Sequence, residues 1–145
     1  ALVPHSKAVG MFNALQELFA REAATMEQHG LFIGTLMSSV GEQVAVIEPC
    51  IYWPDSHNAF HVRTVDADHQ QRIGCPGENL AARAAADALK RQIADVMRAH
   101  GAANLQLGKF YDYRAGRDPA ALAVLDAIKA QLDPKGLMNP GVLAR

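Results

Sequence analysis

Glu48 and Tyr52 stand four residues apart in a stretch, 43–53, whose other members are almost all apolar. A carboxylate placed there needs a partner cation or an open cleft, because an unpaired buried carboxylate is costly. Either one is compatible with the wall of a site. Downstream, His61 is a side chain that can serve as a proton acceptor; Arg63 lies two residues on. A second group, Tyr111, Tyr113 and Arg114, follows Lys109. A guanidinium grips a carboxylate through two parallel N–H groups, and a phenol can donate to it. Each of these residues is an ordinary surface side chain unless the fold gathers it. His57 and His61 are four apart with Asp55 and His69 nearby, but in a loop that spacing does not make a ligand set, and no metal site is expected. Cys50 and Cys75 are too far apart for a metal knuckle and too few for a disulfide scaffold. They are expected as two buried or half-buried thiols of a cytoplasmic protein.

Composition narrows the partners. The chain has 145 residues, one domain's worth, with half of them hydrophobic and a fifth charged. A formal net charge of −1 suggests neither a basic nucleic-acid surface nor an acidic tail. No apolar run approaches a membrane span, and residues 1–10 lack the basic start and apolar stretch of a signal peptide. A first residue other than Met is compatible with a piece of a longer chain, or with a processed or tagged product. There is no Gly-x-Gly-x-x-Gly opening a helix, no phosphate-binding loop and no nucleophile-elbow serine.

The elements that must position these residues are legible as periodicities. Leu2-Val3 is the end of a strand or a linker, with Pro4 behind it. Residues 7–28 carry Phe12, Leu15, Leu18 or Phe19, Ala23 and Met26 at helical steps, with Ser6 as N-cap and His29-Gly30 as the stop. Residues 31–38 read as a strand with Gly34 as its weak point. Residues 39–42 turn, and 43–53 form a second strand. Its alternation sets Val44, Val46, Glu48, Cys50 and Tyr52 on one face and Ala45, Ile47, Pro49, Ile51 and Trp53 on the other. Pro49 cannot donate to a ladder, which marks an edge or a bulge. Residues 54–77 read as a long loop with a short strand at 60–65; loops of that length are functional or disordered. Residues 78–100 form a helix with Leu89, Ile93 and Val96 or Met97 on one stripe and Asp87 spaced to pair with Arg91. A strand at 102–109 follows. Asp118-Pro119 starts the last helix, which runs to Leu132. The order predicts an α+β fold, a ferredoxin-like βαββαβ antiparallel sheet with helices on one face, plus a C-terminal helix and tail.

That tail, Leu132-Asp133-Pro134-Lys135-Gly136-Leu137-Met138-Asn139-Pro140-Gly141, packs turn residues so as to bend twice and leave several backbone N–H groups free. It resembles the Asp-Pro-x-Gly-x-x-Asn-Pro-Gly signature that ends FAD-linked oxidases of the vanillyl-alcohol-oxidase and D-lactate-dehydrogenase type. The resemblance covers the tail strongly, the last sixty or so residues weakly and the rest in outline. It implies that residues 1–145 are the C-terminal cap or substrate domain of a flavoenzyme, also ferredoxin-like, whose N-terminal FAD-binding domain lies outside this chain. It implies FAD as cofactor, with Asn139, Pro140 and Gly141 in the tail that reaches the FAD domain, and Asn139 touching that domain or the flavin edge. Gly108-Lys109-Phe110-Tyr111 resembles the family's Gly-rich segment followed by Lys, without the usual His-Gly-Ile-Gly wording. The implied reaction is hydride transfer from a small 2-hydroxy acid, such as D-lactate or glycolate, to the flavin. Arg63, Lys109 or Arg114 would then neutralise the substrate carboxylate, Glu48 and Tyr52 would wall the site, and His61 or Tyr111 would manage the hydroxyl proton. The His-x-His metal pair of many hydroxy-acid members is missing. A phenolic-alcohol oxidase of the same family, a non-catalytic ferredoxin-like binding or dimerisation module, a fragment serving another subunit, and homo-oligomerisation all stay open.

Overall fold

A computed structural model describes residues 1–106 and 108–142. Among them the elements run β1 (Leu2–Pro4), α1 (His5–Arg21), α2 (Ala23–His29), β2 (Phe32–Val40), β3 (Val44–Tyr52), α3 (Ala59–Thr64), α4 (Ala67–Ile73), α5 (Leu80–Ala99) and α6 (Pro119–Leu132). The sheet order is β1-β3-β2, with both ladders antiparallel. Strands β1 and β2 are therefore parallel, with β3 inserted between them. Ala103 makes an isolated antiparallel bridge to Leu2 on the free side of β1. This is the ferredoxin-like order with its fourth strand reduced to one bridge.

Helices α1 and α5 pack on one face. Met11, Leu15 and Leu18 of α1 meet Ala82, Ala86, Leu89, Ile93 and Met97 of α5 over Val3, Ala45 and Ile47 of the sheet. The alternation of β3 sends Ala45 and Ile47 into this core and leaves Glu48 and Tyr52 outside. Gly30 caps α2 with a left-handed φ of 66°, as its place after the helical pattern predicts. The expected Asp87–Arg91 pair forms at 2.8 Å.

Four expectations are corrected. The first helix starts at His5 after Pro4, not after a Ser6 cap, and breaks at Glu22 into α1 and α2. Residues 60–65 are not a strand. Asn58 accepts from the N–H groups of Phe60 and His61 in a capping box that nucleates α3, and a second short helix, α4, follows. The strand expected over 102–109 is one bridge at Ala103; Leu107 lies outside the described residues. The physical reason is pairing: among the described residues the segment's ladder bonds to β1 are confined to Leu2 and Ala103 (2.7 and 2.8 Å). Cys75 is exposed and Cys50 partly so, both as free thiols.

Pro49 explains itself in the ladder. Ile47 exchanges both backbone hydrogen bonds with Ala1, so alternate residues 47, 49 and 51 turn their N–H positions toward the β1 side. Pro49 lies just past Ala1 on that side, where the missing N–H leaves no gap in a ladder. Helix α6 is capped as expected, with the Asp118 carboxylate accepting from Ala120 and Ala121 at 2.8 and 3.1 Å. None of its residues is buried. Among the described residues no helix is long and apolar enough to cross a membrane.

Candidate functional site

The outer face of the sheet is open. Phe32, Leu36, Val40 and Tyr52 are all large, apolar or aromatic, and exposed, in a register that pairs Phe32 with Tyr52 and Leu36 with Glu48. The rings of Phe32 and Tyr52 stack, with centroids 4.8 Å apart and planes 13° from parallel. Gly34 makes this possible: a Cβ there would lie 3.2 Å from Cε2 of Tyr52. The glycine that looks like a strand's weak point is the seat of an aromatic ring. Glu48, expected to face a cation or a cleft, has no ion pair among the described residues and borders a cleft.

That cleft, of about 470 Å³, runs along the unpaired edge of β3. Its walls include Glu48, Pro49, Ile51 and Trp53 from β3 and its end, Lys90, Ile93 and Met97 from α5, and Asn104, Gln106 and Tyr111 from the segment after α5. Burial, and secondarily the negative charge of Glu48, push the Tyr111 hydroxyl up from its usual value. Tyr111 thus stays protonated at neutral pH and can donate a hydrogen bond. Phe110 packs edge-on against Tyr111 at 5.0 Å, and the Lys90 ammonium sits 4.1 Å from the Phe110 ring centre.

His61 and Arg63 are not part of this cleft. Both ride on α3, in a flap over residues 56–78 that includes exposed Phe60, Val62 and Ile73. His61 accepts the Asn58 N–H at its Nδ1 (3.4 Å), and Arg63 Nε donates to the carbonyl of Ala59 (3.3 Å). The flap's two ends are joined by one carboxylate, which sequence reading passed over. Asp55 takes two bonds from Arg83 (Nε 2.6 Å, Nη2 2.9 Å), one from the Trp53 indole (3.1 Å), and the N–H groups of Ser56 (2.7 Å) and Asn79 (3.1 Å). The Arg83 guanidinium holds the Asp55 carboxyl well below the usual carboxylate range. The one available signal was Asn79 three residues before Ala82, an N-cap that fixes where α5 begins.

Arg114 forms the two-pronged grip expected of it, but with an internal carboxylate. Its Nη1 and Nη2 reach the two Asp126 oxygens at 3.0 and 2.6 Å, tying the loop after Tyr113 to α6 and lowering the Asp126 carboxyl. Lys109 makes no ion pair or hydrogen bond among the described residues. Its stem lies along the tail, where a Cβ on Gly141 would meet Lys109 Cε at 3.7 Å.

The tail is less open than its composition suggests. The Asp133 carboxylate accepts the N–H groups of Leu137 (2.8 Å) and Met138 (2.9 Å) and pairs with Lys129, and Gly136 N–H bonds the Asp133 carbonyl at 2.9 Å. Asn139, at a left-handed φ of 47°, is exposed. Its side-chain amide and backbone N–H, and the Gly141 N–H, have no partner among the described residues. This small set of outward donors fits a ligand rich in acceptors, such as FAD or the protein surface around it, while most contacts to a group of that size must come from elsewhere. Pro140 fixes the bend between the two donors. Among the described residues no cluster of three His, Cys, Asp or Glu could hold a metal.

The structure thus brings Glu48 to Tyr111, Tyr52 to Phe32 and Lys109 to Gly141, and keeps His61 and Arg63 on the flap. No curated protein and no solved structure matches the chain. The family model for FAD linked oxidases, C-terminal domain, matches residues 2–143. With nearly the whole chain covered, the protein belongs to the family of FAD-linked oxidase C-terminal domains.

Proposed function

We propose that this domain forms the substrate side of a flavin-dependent oxidation of a small 2-hydroxy acid of the D-lactate or glycolate kind. FAD is held mainly by a partner domain of the parent chain, which the open sheet face and the exposed apolar side of α6 meet. When bound, FAD would supply the two-electron acceptor: the acid would lose a hydride from its carbon and its hydroxyl proton and become a 2-oxo acid. The observation that carries the substrate class is Lys109. Among the described residues it is a cation with no ion pair, laid against Gly141 of the tail, so a carboxylate bound by it would sit beside the segment that reaches the cofactor. Tyr111, a phenol protonated at neutral pH whose surroundings push its pKa further up, serves as a donor to substrate oxygen, with Glu48 and Tyr52 as walls. His61 would take the hydroxyl proton only with the flap folded toward the sheet, and Arg63 would move with it.

The test uses the full-length parent enzyme. Its flavin absorbance should bleach on anaerobic addition of D-lactate or glycolate. Lys109→Ala should raise KM for the acid about tenfold or more, the value of one charge-assisted hydrogen bond, with a smaller change in kcat. Unchanged KM removes Lys109 from the site. A second reading has its own support: the stacked Phe32–Tyr52 pair on an open apolar face suits the ring of a phenolic alcohol. Flavin that stays oxidised with hydroxy acids but bleaches with a phenolic alcohol would select it. A folded parent without flavin would leave a binding module.

A further inference from the structure

Asp133 is the one buried charged residue among those described. Its side chain is only 6 % exposed, although the helix it ends, α6, buries nothing. The tail itself covers it. One carboxylate oxygen takes the Leu137 N–H at 2.8 Å, and the other takes the Met138 N–H at 2.9 Å and the Lys129 ammonium. The same ammonium donates to the Met138 carbonyl at 2.6 Å. Lys129, one turn back in α6, therefore binds both the carboxylate and the backbone that the carboxylate binds, closing a ring around residues 133–138.

The next residue, Asn139, leaves that ring at a positive φ, and the Val142 N–H bonds back to its carbonyl at 3.1 Å. Where Asn139 points is thus set by Met138, and Met138 is held on both its N–H and its C=O by the Asp133–Lys129 pair. Two consecutive N–H groups are consumed in the ring, which singles out Asn139 and Gly141 as the outward donors.

We propose that Asp133 and Lys129 are the positioning residues of the tail, fixing the direction in which Asn139 and Gly141 are presented to the FAD-bearing partner domain. They act through the backbone and touch no substrate. This rests on the reading of the chain as the substrate side of a flavoenzyme. Ordering the tail in advance removes the cost of ordering it on docking.

The experiment compares the parent enzyme with its Asp133→Ala, Lys129→Met and Lys129→Arg variants. The readouts are bound FAD per chain by absorbance after dilution and gel filtration, the shape of the visible flavin band, and hydrogen exchange of the peptide over 133–142. Asp133→Ala and Lys129→Met should each raise exchange at Leu137 and Met138, weaken FAD retention about tenfold and shift the flavin band. Lys129→Arg should restore retention. Faster exchange with wild-type FAD retention and spectrum overturns the positioning role while leaving the flavoenzyme reading intact. Unchanged exchange overturns the ring itself. A wild-type parent without flavin sinks both readings.

Discussion

Asp55 shows how much one side chain can organise. It accepts from Trp53, Ser56, Asn79 and Arg83, so it holds the start of the flap, its end and the first turn of α5 in one place. Removing the charge should free the flap without unfolding the core. In the Asp55→Asn protein, limited proteolysis over residues 57–78 should be at least severalfold faster than in the wild type, with unfolding of the core little changed. The pH sign follows from the depressed carboxyl. A carboxylate whose folded pKa lies below its ordinary 3.8 contributes stability that is complete above that value and is lost as pH falls from it toward the folded pKa. Flap cleavage by an acid-tolerant protease should therefore be flat from neutrality down to about that value and rise below it. Gly34 makes a second case. Gly34→Ala would press a methyl group against the Tyr52 ring, and the Phe32–Tyr52 stack should open, read as a change in near-ultraviolet circular dichroism.

At the scale of elements, the core and α6 make opposite predictions. Ile47 is fully buried between α1, α5 and the sheet. Ile47→Ala should cost about 2–5 kcal/mol, measured by urea unfolding. Ile128 of α6 is half exposed, and Ile128→Ser should change the stability of this domain by less than about 0.5 kcal/mol. Periodicity finds both helices, because both repeat their apolar residues at helical steps. It does not reveal which apolar stripe is covered within the chain, since a stripe that packs on α1 and one that is left exposed have the same spacing. The strand expected over 102–109 failed for a related reason. Its residue types suit a strand, but a strand exists only where a neighbour's backbone is in reach.

For the whole molecule, the open sheet face, exposed α6 and the outward tail are three unpaired surfaces on a domain whose core is closed. Exposed apolar area of this kind marks an interaction surface. Placing a charge on the sheet face of the parent, as in Leu36→Lys, should weaken FAD retention and change unfolding of this domain little, because Leu36 is half exposed and lies outside the buried core. Equal retention in the variant and the wild type would mean that this face meets no flavin-bearing partner. The Arg114–Asp126 grip holds the loop after Tyr113 to α6, and it explains why an arginine that looks suited to a substrate carboxylate is engaged elsewhere.

Much of this was present in the residue order alone. The alternation in β3 put Glu48 and Tyr52 outside and Ile47 inside. Asp118-Pro119 and His29-Gly30 marked helix ends through local backbone chemistry, and the Asp-Pro-x-Gly-x-x-Asn-Pro-Gly tail identified the family that the match over residues 2–143 establishes. These are short-range properties, set by neighbours within a few residues. The capping box that made Ala59–Thr64 a helix was also local, but a β-rich residue pattern masked it. Only the tertiary structure decided that Asp55 clasps Arg83 across 28 residues, that Arg114 is taken by Asp126, that Lys109 lies on Gly141, and that Asp133 is buried by its own tail. The first three depend on where segments far apart in sequence come to rest, and pairing across such distances has no period to read; the last depends on how the tail folds back over the end of α6.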